Sequence, residues 1–204
     1  MKTPPTTDRG RMTVESILDA ASLLFYHHGV RATSLDQVSA LSSTGRSQLY
    51  HYFSDKADLV LSVIERQVER VLEAQQPILG DIAHGKDLQA WRDLVIRLHA
   101  DSDDPIRCPL GALVVELAED DPTARAALCA GFKRWRDALT RGLKRIRDNG
   151  ELASPLSPAV LGVGLLAAYQ GGVLLSQAAD DLAPLRAALD TAVSSVLGDR
   201  PARR

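Results

Sequence analysis

Residues 33–56 read TSLDQVSALSSTGRSQLYHYFSDK, and their spacing lays out two short helices, a tight turn between them and the start of a third. Leu35, Val38 and Leu41 recur at helical spacing behind Thr33 and Ser34, whose hydroxyls suit the first free amides of a helix. Ser42, Ser43, Thr44 and Gly45 make a small polar break, after which Leu49 and Phe53 anchor another short helix. Arg46, Ser47, Gln48 and Tyr50 are left for its outer face. Such spacing is what a protein needs to push one helix into the major groove of DNA while its neighbour braces against the backbone. Ser54 is the expected cap of the third helix, which keeps apolar residues at Leu59, Val63, Val68, Val71 and Leu72 until Pro77 stops it. At ~1.5 Å per residue that helix is long enough to carry motion from one domain to another.

Working outward, the run TSLDQVSALSSTGRSQLYHYFSDKADL closely resembles the DNA-binding domain of TetR-family transcriptional regulators, which ends in a Leu-Tyr-x-Tyr/His-Phe segment followed by an acidic or Ser residue, Lys and a leucine. Upstream, TVESILDAASLLFYHHG from Thr13 to Gly29 is similar to the family's first helix. Ile17, Leu18, Ala21, Leu24 and Phe25 share one face there and Gly29 is the stop. The family usually has glycine in the turn where this chain has Ser43, so serine either takes a left-handed backbone at some cost or the turn is re-shaped. The resemblance implies a homodimeric, ligand-responsive repressor released from a near-palindromic double-stranded operator by a small hydrophobic or aromatic effector. The candidate DNA-binding set is Thr33, Ser34, Arg46, Ser47, Gln48, Tyr50, His51 and Lys56. Gln48 and Arg46 are placed for base or phosphate, Tyr50 and Lys56 for phosphate, while His51 either touches phosphate or fills the groove side and Tyr52 stays in the core.

The 204 residues, 45% hydrophobic and 25% charged, allow one small and one larger domain with a sizeable core. With only 4% aromatic residues, that core is mostly aliphatic. A formal net charge of -2 argues against generalised coating of nucleic acid, which usually goes with a basic excess. Local cations remain for a site: Lys2, Arg9, Arg11, Arg31, Arg46 and Lys56. No apolar run follows the charged, proline-containing start, so a cytoplasmic protein with reduced Cys108 and Cys129 is expected. The CxxC, HExxH, P-loop and GxGxxG patterns are missing, and the five histidines lie without recognisable partners, so neither a cofactor nor an enzyme is expected. A helical enzyme or lipid-handling protein that borrowed the motif is the weaker alternative.

Beyond the third helix the pattern stays helical. Trp91, Leu94, Val95 and Leu98 form one apolar stripe, and Asp121-Pro122 opens a long helix that Asn149-Gly150 ends. Ala159 to Ala179 carries no charge and approaches the ~20 residues a bilayer needs, yet Gln170, Ser176, Gln177 and the lack of flanking Lys or Arg favour a buried or subunit-interface helix over a membrane span. Leu182 to Val196 marks a last helix. The fold class is therefore all-α, a three-helix helix-turn-helix head on a larger helical body. The expected boundaries are a flexible arm at 1–11, the DNA-binding domain at 12–56, the effector-binding and dimerisation body at 57–198 and a disordered tail at 199–204. Cys108-Pro109-Leu110-Gly111 before a helix resembles a motif in one branch of TetR-like effector domains. The expected effector pocket, chosen by size and apolar position, comprises Trp91, Cys108, Leu113, Glu116, Leu117, Trp135, Leu166, Tyr169 and Gln170. Oxidation of Cys108 in place of a ligand is the alternative trigger.

Overall fold

The computed structural model describes residues 1–101 and 105–198, and the expected tail at 199–204 lies outside the described residues. Among the described residues the order is α1 (Asp8–His28), α2 (Leu35–Leu41), α3 (Arg46–Tyr52), α4 (Lys56–Glu73), α5 (Ile78–Asp81), α6 (Gly85–Ala100), α7 (Pro109–Leu117), α8 (Pro122–Asp148), α9 (Pro158–Ala179) and α10 (Ala183–Leu197), with no strand. These pack as two compact units, Met1–Arg70 with Pro109–Gly131, and Val71–Cys108 with Phe132 onward. The grouping differs from a head ending at residue 56. Helix α7 and the first turns of α8 belong with the head because they touch it closely: a Cβ added at Gly131 would lie 2.3 Å from Val68 Cγ2 of α4.

In the first unit Thr7 caps α1, its Oγ1 accepting from Gly10 N at 3.1 Å. Helix therefore begins at Asp8, and Arg9 and Arg11 are helical where a flexible arm is expected from sequence. Ile17, Ala21, Val38, Leu49, Phe53 and Leu59 are fully or almost fully buried and make the core of the head. Asp19 ties α1 to α4 through Arg66, at 2.6 Å, and Arg70. Burial acts to raise the Asp19 carboxyl, but the hydrogen bonds and charges of Arg66 and Arg70 outweigh it and hold the group below its ordinary range. Helix α4 is capped by Asp55 rather than by Ser54: Asp55 Oδ1 accepts from Asp58 N at 2.8 Å, while the Asp58 carboxylate reaches back to Ser54 N at 3.1 Å. Both residues are good caps, and the one adjacent to Lys56 takes the role.

The Asp121-Pro122 start of α8 is as expected, with Asp121 Oδ1 accepting from the amides of Thr123 and Ala124 at 2.9 Å, and Gly150 at φ 70° follows its end. In the second unit α9 is capped by Ser157 with Pro158 in its first turn. One face of α9 meets α10 so closely that a Cβ on Gly172 would stand 2.9 Å from Leu185 Cα, and one on Gly162 would stand 2.6 Å from Thr140 Oγ1 of α8. That buried face is what an uncharged helix of this length needs to serve as core. Among the described residues α9 is also the helix long and apolar enough to cross a bilayer. Its opposite face, with Val160, Val163, Leu174 and Leu175, is exposed.

Candidate nucleic-acid interface

The turn between α2 and α3 is built around Ser43, which sits in the left-handed region at φ 53°. Of the two alternatives left by its sequence, serine here takes the backbone that glycine would take. Gly45, extended at φ -63° and ψ 147°, then starts α3. Helix α3 buries Leu49, with Phe53 just beyond its end, and turns Arg46, Ser47, Gln48, Tyr50 and His51 outward. Tyr52 is half-buried and meets His51 edge-on at 4.8 Å between ring centroids. Arg46 pairs with Asp36 of α2, but both side chains are exposed. Such a pair contributes only about 0–1 kcal/mol, so the guanidinium can leave it for a phosphate or a base edge.

Two members of the sequence-derived DNA set have other work. Thr33 is 2% exposed, and its hydroxyl donates to Gly29 O at 2.8 Å. It is a structural pin for the turn after α1, not a surface contact. Ser34 remains exposed but is held in a capping box, its Oγ accepting from Gln37 N at 3.2 Å while Ser34 N donates to Gln37 Oε1 at 2.7 Å. Lys56 stands at the start of α4 and donates to Arg31 O at 3.3 Å, which leaves part of its donor capacity for an anion. Arg31, outside the sequence-derived set, sits beside it. The sequence reading names it only among the local cations, because the contact with Lys56 joins residues 25 apart in the chain.

The expected effector residues divide between the two units. In the second, Trp91 Nε1 and Trp135 Nε1 both donate to the single Oε1 of buried Gln75, at 2.8 and 3.1 Å. Trp135 stands edge-on to Tyr169 at 5.0 Å, and Tyr169 OH shares a hydrogen bond of 2.9 Å with His99 Nε2. Gln170 Nε2 donates to Cys108 Sγ at 3.3 Å. Burial, then the nearby Cys108, pushes the Tyr169 phenol well above its usual value, and burial pulls the His99 imidazole down. Leu166 is buried on the same helix as Tyr169. Gln75 and His99, polar residues of the same cluster, escaped a sequence search guided by apolar size. Leu113, Glu116 and Leu117 lie in the first unit instead. Glu116 accepts there from Arg31 N, at 2.7 Å to its Oε1.

An open groove of about 790 Å³ runs along α1, with Asp8, Arg11, Glu15 and Asp19 beside Met12, Leu23 and Leu41.

A family model described as "Bacterial regulatory proteins, tetR family" matches residues 17–63, and one described as "Transcriptional regulator LmrA/YxaF-like, C-terminal domain" matches residues 85–191. An HTH-type transcriptional regulator in the lacX 3' region of Lactococcus lactis subsp. lactis is 29% identical over 185 residues, 88% of this chain and 91% of its own. The TetR regulatory protein of Rhodobacter sphaeroides shares the fold at TM-score 0.79 and 20% identity, over 91% of this chain and 99% of that one. SmeT, the repressor of a Stenotrophomonas maltophilia multidrug efflux pump, was solved in complex with triclosan. That complex matches at TM-score 0.75 and 24% identity, over 92% of each chain.

Proposed function

The chain belongs to the TetR family of bacterial transcriptional regulators, and on that premise we propose that it is a homodimeric repressor, acting in the cytoplasm, that leaves a near-palindromic operator when a small hydrophobic or aromatic molecule binds its effector region. The observation that carries this reading is the outer face of α3, where Arg46, Ser47, Gln48, Tyr50 and His51 all reach solvent behind a turn held by Ser43. Support for the dimer comes from α9, whose exposed Val160, Val163, Gly164, Ala167, Gly171 and Leu174 recur at helical spacing on one stripe. The aromatic and polar cluster of Trp91, Trp135, Tyr169 and His99 supports a small aromatic effector, the class to which the triclosan bound by SmeT belongs. Release is a population shift between two head spacings. A ligand moves such an equilibrium only by its differential affinity, so a coupling of ~1–3 kcal/mol weakens operator binding several-fold to about a hundred-fold. Burial of the Cys108 thiol, 4% exposed, weighs against its oxidation as the trigger.

Selecting DNA fragments from the source genome with purified protein identifies the operator, and two variants then test the head. Gln48→Ala is expected to cost affinity for operator more than for random duplex, because a bidentate base contact is worth ~1–3 kcal/mol. Lys56→Ala is expected to weaken binding to every sequence and to reduce the salt slope by about one unit. Equal losses on both DNAs for Gln48→Ala would remove it as a reader, and an unchanged slope for Lys56→Ala would remove that phosphate contact.

A further inference from the structure

Arg31 is held differently at its backbone and at its side chain. Its N–H donates to Glu116 Oε1 at 2.7 Å and its carbonyl accepts from Lys56 Nζ at 3.3 Å. The Glu116 carboxylate packs close against Gly29: φ there is 82°, which favours glycine, and an added Cβ would lie 3.0 Å from Glu116 Oε1. The peptide is thus fixed from two sides. The guanidinium, by contrast, is 68% exposed and pairs with Asp120, itself 69% exposed, in the turn between α7 and α8. An ion pair so open to water holds weakly and exchanges readily with another anion. Lys56, a cation at the start of α4, lies against the Arg31 carbonyl, so a DNA strand that meets the Lys56 ammonium passes within reach of the long Arg31 side chain.

From this arrangement we infer that Arg31 is a further phosphate-contacting residue of the head and that Asp120 is its competitor within the chain, so that the α7–α8 turn sets DNA affinity by holding or releasing one cation. The inference rests on the reading of α3 as the DNA face and adds a site of control to it. The neighbouring acids divide the work. Glu116 is on the Arg31 amide, Asp121 is spent on the first amides of α8 at 2.9 Å, and exposed Glu119 is the group that replaces Asp120 if it is neutralised. Each phosphate met by a cation releases condensed counterions, so gaining Arg31 steepens the salt dependence by roughly 0.9 in the logarithmic slope. A displacement of this turn then changes affinity for all sequences alike and leaves base reading by α3 as it was.

The test uses the full chain and a fluorescent random-sequence duplex, with anisotropy read over a salt series, for wild type, Asp120→Asn, Glu119→Gln/Asp120→Asn, Arg31→Ala and Arg31→Ala/Asp120→Asn. Thermal melting checks that each variant is folded. The expected result is a several-fold tighter complex with a steeper slope for Asp120→Asn, at least as large for the double neutralisation, and most of that gain lost in the Arg31→Ala background. An unchanged or weakened complex for both neutralised variants overturns the inference. So does an equal gain with and without Arg31, which is the signature of merely removing negative charge near DNA. Failure of the wild type to bind duplex at any salt overturns the DNA-binding reading itself, a different result from a wild type that binds and ignores Asp120.

Discussion

Ser43 carries the conformational cost of the helix-turn-helix. At φ 53° its Cβ crowds the following peptide, a penalty of roughly 1–2 kcal/mol that glycine does not incur, set against the ~0.5–1 kcal/mol of extra chain entropy that glycine loses on folding. Ser43→Gly should therefore raise the melting temperature by a degree or more, as read by circular dichroism. A fall would mean that the hydroxyl does more than the backbone argument allows. His99 makes a separate, pH-dependent prediction. Burial holds its folded value below that of the unfolded chain, so beneath about pH 6.5 the unfolded state binds more protons and stability falls with pH. Urea unfolding of wild type and His99→Gln at about pH 7 and about pH 5 isolates this group, because all others titrate alike in both proteins. The stability difference between the two should shift in favour of the variant at the lower pH; a difference that does not move with pH would remove His99 as the cause.

Among the elements, α9 has two faces that glycine substitutions can tell apart. Gly172→Ala drives a methyl to 2.9 Å from Leu185 Cα, a backbone atom that cannot step aside, so a loss of about 1–3 kcal/mol is expected in chemical denaturation. A Cβ on Gly171, one residue earlier, would have nothing within 4 Å. Gly171→Ala should leave the protomer unharmed or stabilise it by up to ~1 kcal/mol through helix propensity. Equal effects at the two positions would mean that the α9–α10 packing is looser than described. Such packing was only half legible in the sequence. Apolar periodicity and end signals located α8 from Asp121-Pro122 to Asn149-Gly150, because caps and stops are local chemistry. The choice of Asp55 over Ser54, and the burial of Thr33, depend on where one neighbouring carboxylate or carbonyl lies in space. Glu116 illustrates the same limit more sharply. Its helix could be drawn from sequence, but its partner Arg31 is 85 residues away, so its grouping with Trp91 and Trp135 had no local signal to correct it.

For the whole molecule, the exposed stripe on α9 is the proposed contact between two copies. Leu174 and Leu175 are 64% and 60% exposed, and Gly164 and Gly171 offer bare backbone between them and Val160 and Val163. A stripe of this kind lets a second copy of the helix approach closely about a two-fold axis. Gly171→Arg places a long cation where that approach would be tightest. Its burial without a partner costs several kcal/mol, and every 1.4 kcal/mol is tenfold in dissociation constant, so at micromolar protein the dimer should give way to monomers. The protomer itself should stay folded, since the added side chain leaves from open space and arginine is a better helix former than glycine. Monomers lose the fixed spacing of two recognition helices, about 34–36 Å for half-sites one turn apart, and with it the gain from binding both at once. Light scattering should therefore give half the wild-type mass, unchanged helical content should accompany it, and operator affinity should fall at least a hundred-fold. A variant that keeps the dimer mass would clear this face of α9 of the role and move the search for the interface elsewhere.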